Sequence, residues 1–263
     1  MPLPFTVRRT DPDAAAFCAR SGASDRAAVS AFVRGVKDLG LWESMVCWPL
    51  RSEQNAGTGT TAYSLGGLGT FDGSLINGPV WTADGLVTDA TNEHVQLPDA
   101  AALYNARSGM VAMKTSDTGL NRQMIEFQSA LSGAEWYYLF RFAGTAQDGG
   151  AGFRLGATRN GLTSVNDNTG RTIDLVNFQT GSFTMNDSAD NVFRNGAVEV
   201  GAARTGLSAI NPTGARNIRL LFGNSTAMTG AFAMTSTAMW TNSQVTALHN
   251  LYRQTLGTGL GLP

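Results

Sequence analysis

Trp136, Tyr138, Phe140 and Phe142 fall on alternate positions, and a step of two is the spacing of a β-strand. The same step recurs at Phe153, Leu155 and Ala157, at Ile173 and Leu175, and at Ile218, Leu220 and Phe222. Phe232, Met234, Ala238 and Trp240 also share one parity. Such alternation turns apolar side chains to one sheet face and polar ones to the other. Asn160-Gly161 and Asn195-Gly196 sit between runs of this kind. Both residue types tolerate positive φ, as a two-residue hairpin turn requires. From Phe71 onward the chain therefore reads as antiparallel strands. Charged residues at 15% and 31 glycines fit many short strands joined by tight turns, and 263 residues suit one large sandwich.

The two ends keep a different period. Asp11-Pro12 is a helix start, because Asp can cap free N–H groups and Pro fits the first turn. The spacing predicts a helix over 12–20 stopped by Ser21-Gly22, then a second over 25–39, capped by Ser24 and ended by Gly40. Val29, Phe32, Val36 and Leu39 lie on one face of the second helix. Residues 52–70, rich in Gly and Thr, read as loop or linker. Near the end, Asn242 or Ser243 caps a helix whose stripe is Val245, Leu248, Leu251, Tyr252 and Leu256, with Gly257 as its stop. This predicts a helical attachment or oligomerisation segment over 1–45, with Val29, Phe32, Val36 and Leu39 as its assembly face. It also predicts a sandwich over 46–263, with the C-terminal helix as a packed part of it.

The charge pattern excludes some partners. Net charge is −1 and the 19 Lys and Arg are scattered, so no nucleic acid is expected. No apolar run is long enough to span a bilayer, and Met1 to Thr10 lacks the apolar core of a signal peptide. Cys18 and Cys47 read as two buried thiols.

The order of three segments carries a family resemblance. TNEHVQLPDAAAL (91–103) resembles the early strand of laminin-G-type jelly rolls. NVFRNGAVEV (191–200) resembles their hairpin, and NIRLLFGN with GAFAMTSTAMWTNSQVTALHNLY (217–252) resembles their closing strands and helix. The resemblance spans roughly 70–256 and implies an all-β, antiparallel β-sandwich of the concanavalin A-like lectin and glucanase superfamily. AFVRGVKDLGLWESMVCWPL (31–50) and QNAGTGTTAYSLGGLGTFDGSLINGPVW (54–81) resemble segments of tailed-bacteriophage virion proteins. That implies a non-enzymatic virion component (head decoration, spike or tail), located in the virion, with other virion proteins and copies of itself as partners. The alternative is a carbohydrate- or receptor-binding module that contacts a host surface glycan.

The superfamily contains glycoside hydrolases, so the carboxylates need a direct test. Retaining members carry a Glu-x-Asp-x-Glu run, which turns both Glu side chains to one face. Glu126 in QMIEFQ and Glu135 in GAEWYY lack such neighbours and read as residues of a solvated strand face or strand start. His94 and His249 read as surface or half-buried histidines without a nucleophile beside them. No catalysis is expected. Asp148, Asn166, Asp167 and Asn168 flank the hairpin at 151–165 as a candidate binding cluster. No cofactor or metal is assigned; calcium is the ion those oxygens would suit, although Asx residues also serve simply as turn formers. Of the tryptophans at 42, 48, 81, 136 and 240, most have parities that predict burial rather than a glycan platform. LGGLG (65–69) lacks the Lys-Ser/Thr of a phosphate loop and reads as a flexible lead into the sandwich.

Overall fold

Helices α1 (Pro12–Ser21) and α2 (Arg26–Asp38) come first, followed by a 3-10 turn (Trp42–Ser44) and strand β1 (Met45–Pro49). Short strands β2 (Thr61–Ala62), β3 (Gly73–Ile76), β4 (Val80–Trp81), β5 (Leu86–Thr88) and β6 (His94–Leu97) lead to the one-turn helix α3 (Ala101–Tyr104). Then come β7 (Ser108–Thr115), β8 (Arg122–Ser129), β9 (Trp136–Ala143), β10 (Gly152–Arg159), β11 (Leu162–Val165), β12 (Gln179–Met185) and β13 (Ala189–Arg194). The two-residue β14 (Ala197–Val198) and β15 (Arg204–Thr205) precede β16 (Arg216–Gly223), β17 (Met228–Ser236) and helix α4 (Asn242–Gln254). The structure is a computed structural model and describes residues 9–88, 92–115, 122–129, 136–143, 152–159, 162–165, 176–186, 189–198, 204–205, 216–223 and 227–263.

The strands form two sheets, all of whose described pairings are antiparallel. The first runs β14-β13-β12-β7-β17-β5-β4, with β1 also on β17 and β15 on β13; the second runs β11-β10-β9-β8-β16-β6-β3-β2. Val46, Trp48, Val111, Met113, Phe183 and Met185 of the first sheet meet Leu75, Val95, Leu97, Ile125, Ile218 and Leu220 of the second. The other face of the first sheet carries Met45, Cys47, Met110, Ala112, Phe232 and Met234, and helices α1, α2 and α4 lie on it. The order through the molecule is helices, first sheet, second sheet. The first sheet is buried on both faces, so β1 reads as a continuous apolar run rather than an alternation.

The helix ends follow their sequence signals with small shifts. Asp11 caps α1 by accepting the N–H groups of Asp13 (3.0 Å) and Ala14 (3.5 Å). Asp25, not Ser24, caps α2, because its carboxylate reaches the Ala28 N–H (3.2 Å). Thr241, not Asn242 or Ser243, caps α4 in a reciprocal box with Gln244. The α2 face assigned to assembly is already occupied. Val29, Phe32 and Val36 are wholly buried within this chain, and Leu39 packs on the same cluster. Phe32 meets Phe232 of β17 edge-on with ring centroids 5.5 Å apart. Val245, Leu248, Tyr252 and Leu256 join that cluster from the other end of the chain. Residue 45 thus marks a change of secondary structure, while the apolar core runs through it.

Residues 52–70 are not a loose lead. Cys47 and Leu65 exchange main-chain hydrogen bonds of 2.8 Å. A Cβ on Gly66 would lie 2.2 Å from the Met45 carbonyl oxygen, so glycine is needed because backbone rests on backbone. Asn195 (φ 50°) and Gly196 (φ 76°) form the expected left-handed pair between Arg194 and Ala197. Asn160-Gly161 lies outside the described residues, but Arg159 and Leu162 on either side of it are paired. Cys18 and Cys47 are free thiols, both buried. One strand residue breaks the alternation: Leu221 of β16 has φ 55° and turns inward, filling the space a Cβ on Gly230 of β17 would occupy, 2.4 Å from Leu221 Cδ2.

Candidate functional site

The second sheet has one face on the core and one turned away from it, and the outward face carries the polar cluster. Strands β8, β16, β6 and β3 lie side by side. Their inward residues are Ile125, Leu220, Val95 and Leu75. Alternation therefore turns their neighbours outward. The register places Glu126 opposite Arg219, Arg219 opposite Gln96, and Gln96 opposite Ser74. These four form one row across four strands, about 14 Å long at the usual strand spacing. His94 is two residues from Gln96 on β6, on the same face. Leu221, next along β16, adds no side chain to this face because its positive φ turns it inward.

Burial grades along the row from Glu126, 1% exposed, to Ser74, which faces solvent. A carboxylate in such surroundings needs a partner, and Arg219 Nη2 lies 2.8 Å from Glu126 Oε2. Burial pushes the Glu126 carboxyl above the usual range, and the Arg219 charge and hydrogen bond draw it part of the way back. His94 Nδ1 lies 2.8 Å from the Asn92 carbonyl oxygen. Burial pulls the imidazole below its usual range; the Asn92 bond opposes this, Arg219 adds to it, and the Gln96 side chain opposes it again. The Gln96 amide donates to the carbonyls of Leu97 and Ile218, both at 3.0 Å. The result is an immobilised set of guanidinium, carboxyl, carboxamide and imidazole groups, suited to binding hydroxyls and carbonyls.

Several expectations are corrected here. Glu126 is a buried, ion-paired residue and not part of a solvated face. His249 is buried on α4, between Thr180 Oγ1 (2.8 Å from Nδ1) and the Pro263 main-chain oxygen (3.1 Å from Nε2). Asp148, Asn166, Asp167, Asn168 and Glu135 lie outside the described residues. Among the described residues no three His, Cys, Asp or Glu gather as a metal site. The sequence reading missed Arg219, Gln96 and Ser74 because their proximity to Glu126 depends on the order β8-β16-β6-β3, which joins strands far apart in the chain.

No protein-family model matches the sequence, and no curated protein does. Solved structures match at the level of fold. Trypanosoma rangeli sialidase superposes with a TM-score of 0.57 at 14% identity, over 89% of this chain and 40% of the sialidase chain. The same sialidase bound to 2,3-difluoro-KDN gives 0.59 at 14% identity, over 81% and 33%. The botulinum neurotoxin serotype D binding domain gives 0.55 at 8% identity, over 80% and 52%. The chain thus spans from a third to about half the length of these proteins. The likeness agrees with the fold described above, an all-β sandwich of two antiparallel sheets, to which this chain adds short N-terminal helices and a C-terminal helix.

Proposed function

We propose that the protein is a non-catalytic, glycan-binding sandwich whose ligand lies along the outward face of its second sheet. The observation that carries this is the row Glu126, Arg219, Gln96 and Ser74, polar throughout, with Glu126 and Gln96 held by their hydrogen bonds and ion pair. Glu126 acts as a positioning residue, since its pairing fixes the Arg219 guanidinium before any ligand arrives. Arg219, Gln96 and Ser74 present donors and acceptors over about 10 Å, a length that suits a short saccharide. The non-catalytic reading draws support from the neighbours of Glu126. Along β8 these are Met124 and Gln128; across it they are Arg219 and Leu139. None supplies the second carboxyl that hydrolysis of a glycosidic bond requires.

The test is a glycan panel read by direct binding and by reducing-end release. Expected is binding to at least one glycan, weakened tenfold or more in Ser74→Trp and Gln96→Ala, with no sugar released. Binding unchanged by both substitutions overturns the site, and release that disappears in Glu126→Gln overturns the non-catalytic reading.

The segments 31–50 and 54–81 support a second, compatible reading in which this sandwich is a tailed-phage virion component, present in several copies and facing a host surface glycan. Mass-spectrometric copy number in purified particles tests it; absence of the chain from particles overturns it.

A further inference from the structure

Where α1 meets the 3-10 turn and the glycine-rich loop, two depressions of about 310 and 280 Å³ share Asp13 and Trp42 and so form one cleft. One end is lined by Lys37, Gly40 and Glu43, the other by Arg20, Ser64, Gly66 and Thr70. The loop keeps its shape because Gly66 and Gly67 rest on the main chain of Met45 and Trp42. The charged side chains are fixed as well. Lys37 Nζ donates to Asp11 (2.9 and 3.0 Å) and to Asp13 (2.6 Å), while lying over the Trp42 ring, 5.1 Å from its centroid. Arg20 pairs with Asp72, donates to the Ser64 carbonyl (2.6 Å), and lies 5.3 Å from the centroid of Tyr63.

These contacts decide what the cleft can accept. An anion would find both cations already neutralised by carboxylates. A cation would find the Trp42 and Tyr63 rings already covered by cations of this chain. A neutral ligand rich in hydroxyls meets neither obstacle. It would find an acceptor in Asp13, the exposed carboxylate of Glu43, the Thr70 hydroxyl and the indole N–H of Trp42. Trp48 and Trp81 donate their indole N–H to main-chain carbonyls (2.9 and 3.2 Å), whereas that of Trp42 has no partner among the described residues. We propose that this cleft is a second saccharide site, taking a short neutral oligosaccharide.

Calorimetric titration of the full chain with cellotriose, maltotriose, chitotriose, trigalacturonate and a trilysine peptide tests this. Ala16 is exposed on α1 and lines the cleft, so Ala16→Trp fills it without disturbing the core. Expected is binding of at least one neutral trisaccharide, lost in Ala16→Trp, weakened about tenfold in Glu43→Gln, and unchanged in Gln96→Ala. If no neutral sugar binds, if binding survives Ala16→Trp, or if trigalacturonate or trilysine binds there instead, the proposal is overturned. Loss in Gln96→Ala alone would assign the binding to the sheet face, so the two sites fail separately.

Discussion

Gly35 and Gly66 both occupy places where a methyl group would collide, but with different kinds of neighbour. At Gly35 the obstacle is the Leu251 side chain, which can change rotamer; at Gly66 it is the Met45 carbonyl, which cannot move without the strand. Overpacking costs about 1–3 kcal/mol, and Ala in place of Gly inside a helix returns about 1 kcal/mol. Gly66→Ala is therefore expected to lower Tm clearly more than Gly35→Ala in paired thermal melts. His249 supplies a pH-dependent term. Burial holds its imidazole below the usual range, with the Pro263 contact opposing and Arg253 adding to the depression. Just below pH 6.5 the unfolded chain binds a proton there that the folded chain does not, so stability is complete above that pH and falls as pH drops. A urea titration series from pH 7.5 to 5 is expected to show that fall, and His249→Gln to flatten it. His249 was hard to place from sequence because it lies off the apolar stripe of α4; its burial comes from Thr180 and Pro263, which only the folded chain brings to it. Glu126 posed the same difficulty, since alternation shows which face it takes but not that Arg219 waits on the next strand.

At the scale of elements, the helices are structural parts of the sandwich. Leu248→Ala is expected to cost about 2–5 kcal/mol, the transfer loss plus the cavity left behind, measured by chemical denaturation. Removing residues 1–40 would take Phe32 off Phe232 and strip Val29, Val33 and Val36 from the cluster that covers the first sheet. The shortened chain is expected to aggregate or to lose its cooperative melt; a sharp transition near the full-length Tm would show that α1 and α2 are dispensable. The helices and the Asn195-Gly196 turn were readable because caps, stripes and positive-φ residues are local signals. The pinned course of residues 52–70 was not, because glycine marks both a loose loop and a main chain pressed against its neighbour. Nor was the destination of the α2 stripe, since an apolar face looks alike whether its cover is a partner or its own sheet.

For the molecule as a whole, the polar row ends at Ser74, two residues from the Asp72 that pairs with Arg20 of the cleft, so the two proposed sites flank the same edge of the second sheet. A biotin carried by Ser74→Cys is expected to block sheet-face glycan binding, while one carried by Gln254→Cys, exposed at the end of α4, leaves it intact; the measurement is binding to an immobilised glycan. If the chain is anchored through its helix layer and holds a ligand on the second sheet, any pull on that ligand becomes a shearing force between the sheets. Leu221 then acts as a peg, because it projects from the second sheet into the space left by Gly230 in the first. Hydrophobic contact alone lets packed surfaces slide, but a side chain seated in a socket must leave it first. Leu221→Ala is expected to lower the rupture force in single-molecule pulling more than an equally destabilising truncation elsewhere in the core, such as Val111→Ala, so that this one contact sets the mechanical strength of the sandwich.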